Sequence, residues 1–88
     1  MSYQVVWTRR ATKEAAKLDA EDRRRVVTAV GALENWPGCR STLDVKALKR
    51  HAHHYRLRVG RYRVLFDVED SLRVVSVERV RKRDERTY

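Results

Sequence analysis

Arginine is the residue type through which this sequence can do chemistry. The run Tyr55-Arg56-Leu57-Arg58-Val59-Gly60-Arg61-Tyr62-Arg63-Val64-Leu65-Phe66 carries Arg56, Arg58 and Arg63 at positions that share one face of a predicted hairpin. A guanidinium grips phosphate through paired N–H···O bonds and keeps its proton at any physiological pH. It therefore stabilises developing negative charge and makes a poor general base. Metal-free cleavage of RNA needs that stabilisation, in-line placement of the 2′-hydroxyl, and help with two proton transfers. A second basic cluster, Arg81-Lys82-Arg83, lies near the end of the sequence, which closes on Tyr88. Tyr88 is the proton-transfer candidate of that segment once nearby arginines lower a phenol pKa that is ordinarily about 10. No Ser-His-Asp or Cys-His arrangement and no Gly-rich phosphate loop accompanies these residues.

The elements that must position the arginines are legible from periodicity. Tyr55, Leu57 and Val59 alternate with Arg56 and Arg58, which predicts a strand with one apolar and one cationic face. Gly60-Arg61 suits a two-residue hairpin loop with glycine at positive φ. Tyr62, Val64 and Phe66 then resume the apolar face, with Arg63 and Leu65 on the other. This loop length sets Val59 against Tyr62, Leu57 against Val64 and Arg58 against Arg63. Like charges directly opposed cost from a few tenths to about 1 kcal/mol, so the pairing points to a surface for a polyanion.

The rest of the chain reads as a frame for that hairpin. Residues 3–8 suit a first strand. Ala11, Ala15 and Leu18 have the spacing of a helix over 9–18. Asp19 is the expected N-cap of a second helix whose stripe is Val26, Ala29, Val30 and Leu33, ended by Asn35-Trp36-Pro37-Gly38. Residues 39–54 read as a connector anchored by Leu43, Val45 and Leu48, with Lys46, Lys49 and Arg50 adding charge near the sheet. His51, His53 and His54 lie in it without a carboxylate or cysteine at ligand spacing, and no metal site is expected. Glu69-Asp70-Ser71 is a turn, and Leu72–Val80 a strand that places Val75 and Val77 on the core face and Ser76 and Glu78 on the face of Arg63. The segment after it is expected to pass over the arginine face. The fold class is α+β, in one domain over 1–88: an N-terminal strand, a two-helix hairpin and an antiparallel three-strand meander.

Charge narrows the partners. The 88 residues hold 21 Lys+Arg against 12 Asp+Glu, a net of +9, which points to nucleic acid, an acidic protein or an anionic membrane surface. No apolar run is long enough to span a bilayer and no signal-peptide segment opens the sequence, so no membrane partner and a cytoplasmic location are expected. The lone Cys39 forms no internal disulfide.

The hairpin string, the Val-rich strand after it and Val80-Arg81-Lys82-Arg83…Tyr88 resemble the RelE branch of the RelE/ParE toxin superfamily. The strand, two helices, connector and three strands match over nearly the whole chain. The resemblance implies the toxin of a type II toxin–antitoxin pair: a ribosome-dependent endoribonuclease, an mRNA interferase that cleaves mRNA in the A site by 2′-hydroxyl attack without metal or other cofactor. It implies a cognate antitoxin that wraps the toxin in a hetero-oligomer, with ribosome and mRNA as the other partners. Position by position, it makes Arg56 and Arg58 the basic pair before the glycine turn and Arg63 the phosphate-stabilising arginine. Arg83 becomes the catalytic member of the basic pair with Lys82, and Tyr88 the group that orients or deprotonates the 2′-hydroxyl. Lys46, Lys49, Arg50, Arg61, Arg81 and Lys82 are then the expected RNA-binding residues. The sequence departs from the best-studied pattern in having arginines where lysines stand at positions 56 and 58, in a spacing from Arg83 to Tyr88 shorter by one, and in a base at position 61 where many relatives carry an acid. Two alternatives follow from the same residues: a ParE-like inhibitor of DNA gyrase on the same fold, or an RNA- or ribosome-binding module without turnover.

Overall fold

The computed structural model describes residues 2–82. The elements run β1 (Gln4–Trp7), α1 (Arg9–Ala16), α2 (Ala20–Gly31), β2 (Asp44–Ala47), β3 (Tyr55–Val59), β4 (Tyr62–Glu69) and β5 (Val74–Lys82), with two short 3-10 turns between α2 and β2. They build one five-stranded sheet in the order β1-β5-β4-β3-β2. β2 to β5 are antiparallel, and β1 lies parallel to β5 at the edge.

Both helices start on side chains that satisfy backbone donors of the first turn. Thr8 Oγ1 accepts from the Ala11 N–H at 3.1 Å and Asp19 Oδ1 from the Asp22 N–H at 2.9 Å. Glu21 and Asp22 add negative charge at the N-terminus of α2, where the helix dipole favours it. The helices cover one face of the sheet. Ala11, Ala15, Val26, Val30 and Leu33 close there on Leu57, Val64, Phe66, Val75, Val77 and Val80. The two alanines let α1 lie close to β5. Trp36 meets Tyr55 and Phe66 edge-on at 4.7 and 5.4 Å, which ties the segment after α2 to the hairpin.

The expected α+β architecture is the one observed, with three differences in the sheet. The connector over 39–54 contains an extra strand: β2 pairs with β3, setting Asp44 against Arg58 and Lys46 against Arg56. The last strand begins at Val74, not Leu72. Arg73 is left-handed with φ 53°, and Leu72 and Arg73 donate back to the Glu69 and Asp70 carbonyls, so both belong to the turn. Finally, β5 carries a bulge. Phe66 faces Val77 and Leu65 faces Arg79, which leaves Glu78 as the extra residue. No helix among the described residues is long and apolar enough to cross a membrane.

Candidate nucleic-acid interface

The hairpin adopts the expected register. Val59 faces Tyr62, Leu57 faces Val64 and Arg58 faces Arg63, with Gly60 at φ +56° in the turn. β5 continues the row, because Arg63 faces Arg81. Four neighbouring strands therefore present Asp44, Arg58, Arg63 and Arg81 in one line on the sheet face away from the helices. Adjacent strands lie about 4.8 Å apart, so the backbone positions of the three arginines fall within about 10 Å across the sheet. Each like-charged pair costs up to about 1 kcal/mol. That cost sits in one row of the sheet, with Asp44 at its end.

That acid divides the predicted pair Arg56 and Arg58. Arg56 is 8 % exposed at its side chain, and its Nη1 donates to Asp44 Oδ1 at 3.0 Å and approaches the Asp44 carbonyl at 3.4 Å. Arg58 is 36 % exposed, with Nε 3.9 Å from Asp44 Oδ2. Arg56 is thus a buried strut of the β2–β3 edge, while Arg58 fronts the row. Lys46 is exposed beside Arg56, and Lys49 and Arg50 lie exposed in the turn after β2. Arg61 is drawn elsewhere. Its Nη2 donates to Asp22 Oδ2 at 3.1 Å on α2, and the hydroxyl of buried Tyr62 donates to the same oxygen at 3.0 Å. The Arg61 hydrogen bond holds the Asp22 carboxyl below its ordinary range, and burial with Asp22 nearby pushes the Tyr62 phenol up. Tyr62 is thereby a structural phenol that keeps its proton. Arg83 and Tyr88 lie outside the described residues.

The end of β5 is held by a contact with no trace in local sequence. Glu14 of α1 accepts from Arg79 at 2.9–3.1 Å and from the Val80 N–H at 2.8 Å. Its carboxylate takes the backbone donor that β1, ended at Trp7, does not reach. Burial raises the Glu14 pKa, and the Arg79 and Val80 donors outweigh it, so the group sits below the ordinary carboxylate range. Beside this contact an open cleft of about 630 Å³ is walled by Lys17, Arg61, Arg81 and Lys82 together with Glu14 and Asp19. The cationic surface therefore continues past the row and around the end of the sheet.

Comparison with known proteins bears on the family and the fold. The family model described as the ParE toxin of type II toxin-antitoxin system, parDE, matches residues 5–87. The chain belongs to this toxin family. Its fold is shared with RelE toxins, which places it in the RelE/ParE superfamily. The RelE–RelB complex of Pyrococcus horikoshii matches with a TM-score of 0.81 and 28 % identity, over 97 % of this chain and 99 % of that one. The RelBE2 toxin–antitoxin complex of Mycobacterium tuberculosis gives a TM-score of 0.79 at 29 % identity, over 97 % and 95 %. The isolated RelE toxin of E. coli, at 23 % identity, TM-score 0.77 and coverage of 98 % and 89 %, shows the same fold. No curated protein matches significantly.

Sequence reasoning missed Asp44, Glu14 and Asp22, the acids that sort the arginines into struts and surface. Only Asp44 had a local signal: Leu43-Asp44-Val45-Lys46 alternates with period two, the mark of a short edge strand.

Proposed function

We propose that this type II toxin is a ribosome-dependent endoribonuclease that cuts mRNA by attack of a 2′-hydroxyl on the adjacent phosphate. The observation that carries the reading is the in-register row of Arg58, Arg63 and Arg81 across three strands. In that reaction the 2′-oxygen bonds to phosphorus, the P–O5′ bond breaks, the 2′-proton leaves to a base and the 5′-oxygen gains one. Negative charge grows on the non-bridging oxygens, and fixed guanidinium donors aimed at them lower the barrier. Arg63, central in the row, is the principal stabiliser, with Arg58 and Arg81 on either side of the phosphate. Arg83 and Tyr88 complete the set as the second stabilising cation and the group that orients or deprotonates the 2′-hydroxyl. Arg56 supports Arg58 through Asp44 instead of touching RNA.

The antitoxin is proposed to be a segment of amphipathic and acidic character. The groove between the helices, walled by Trp7, Ala15, Ala16 and Val27, offers an apolar seat, and Val27 is 48 % exposed. The basic row offers the acidic one.

The match to the ParE family model favours a second reading, inhibition of DNA gyrase on the same fold. Programmed ribosomes incubated with purified toxin separate the two. Codon-phased mRNA cuts that vanish in Arg63→Ala support the nuclease. Intact mRNA, together with gyrase-dependent DNA damage in cells, supports the other.

A further inference from the structure

The sheet face that carries the arginine row carries a second constellation further along the strands. His53, in the bend before β3, Asp67 of β4 and Glu78 of β5 each bring one ligand-type atom to within 4.8 Å of the others. They come from three separate elements, and all three are half-buried. We infer that His53, Asp67 and Glu78 bind a divalent first-row transition-metal ion, Zn²⁺ in type, with water completing its coordination, as a clasp between the bend and the two strands.

The arrangement of donors around the three residues supports this. One oxygen of each carboxylate is already engaged: the His54 N–H donates to Asp67 Oδ1 at 2.8 Å, and the Ser76 hydroxyl donates to Glu78 Oε2 at 2.6 Å. Asp67 Oδ2 is turned toward the imidazole, 3.4 Å from His53 Nδ1. The bend is braced as well, since the His53 N–H donates to His51 Nδ1 at 3.0 Å and the Val68 N–H to His54 Nδ1 at 3.1 Å. Such outer hydrogen bonds orient metal ligands and sharpen their affinity. The bulge contributes too, because Glu78 is the residue it leaves without a cross-strand partner.

Ligands on one tetrahedral zinc lie about 3.4 Å apart, as bonds of about 2.1 Å dictate. Side-chain rotation would bring the three donor atoms, now within 4.8 Å of one another, to that spacing. One imidazole and two carboxylates select Zn²⁺, Mn²⁺ or Ni²⁺ over Ca²⁺, which takes oxygen alone, and over Cu⁺, which takes sulfur. Asp67 stands four residues along β4 from Arg63, so the clasp is distinct from the proposed phosphate site and does not depend on that reading.

Calorimetric titration of ZnCl₂ into the full chain tests it, with the visible absorption of Co²⁺ as a report on coordination. One ion per chain is expected. His53→Ala and the isosteric Glu78→Gln should each weaken binding at least about tenfold, and Ser76→Ala, which removes an outer hydrogen bond, by about 10- to 100-fold. Circular dichroism in EDTA establishes that each variant is folded, and Glu78→Gln alone suffices if His53→Ala is not. Absence of stoichiometric binding of Zn²⁺, Mn²⁺ and Ni²⁺ at 100-micromolar-order concentrations overturns the proposal. So does binding that survives Glu78→Gln and disappears in His51→Ala, the mark of surface histidine chelation.

Discussion

At the scale of single residues, the arginines divide into those that hold the protein together and those that front the sheet face away from the helices. Arg63→Ala should lower the rate of ribosome-dependent cleavage by about 10²- to 10³-fold with little loss of stability, the usual effect of removing one transition-state donor. Single-turnover cleavage of programmed ribosomes, read beside thermal unfolding, measures both. Asp44→Ala should do the reverse in kind. It strips the buried Arg56 guanidinium of its 3.0 Å carboxylate partner, and losing a hydrogen bond to a charged group costs about 1.5–3 kcal/mol. A urea unfolding midpoint that does not move would show that Arg56 is solvated by other means. The three-arginine face was legible from period-two alternation, because alternation is local. The acids were not, since Asp22 reaches Tyr62 across 40 positions and Glu14 reaches Arg79 across 65. Nothing in nearest-neighbour spacing marks such contacts.

Among the elements, α1 and β5 are joined through Glu14. In the folded chain its pKa lies below the ordinary value near 4.5. The native state therefore binds this proton less readily than the unfolded chain does. The stability it contributes is complete above about pH 4.5 and is lost as pH falls through the folded value. Glu14→Gln should weaken the wild-type fall in unfolding midpoint between neutral pH and pH 3–4, while lowering stability at pH 7. Equal acid sensitivity of the two proteins would assign the effect to other carboxylates. Hairpin geometry is a second property of this scale. Gly60 sits at φ +56° with open space where a Cβ would lie, so Gly60→Ala pays only backbone strain, about 1–2 kcal/mol. The extra strand β2 left only the brief alternation Leu43-Asp44-Val45-Lys46 as its mark, and with four residues and a single half-buried position, Val45, it was read as part of the connector. The bulge at Glu78 was likewise hidden, since no glycine or proline marks it.

For the whole molecule, the net charge of +9 governs encounter more than affinity for any one base. If the arginine row neutralises about three phosphates of single-stranded RNA, log K should fall against log salt with a slope near −2, and Arg63→Ala should flatten it by about 0.7. Fluorescence anisotropy of a labelled oligoribonucleotide across a salt series gives both numbers. An affinity indifferent to salt would remove the electrostatic basis of the interface.

The parallel pairing of β1 with β5 has a consequence for synthesis. Among the described residues β1 pairs with β5 alone, and β5 also supplies Val75, Val77 and Val80 to the core and Arg81 to the row. A nascent chain emerging from the translating ribosome has no mate for its opening strand and no closed interior until that late segment is made. The arginine row and the closed core therefore form only after β5 has been made, so a partner that recognises the helices alone engages the chain before the row exists.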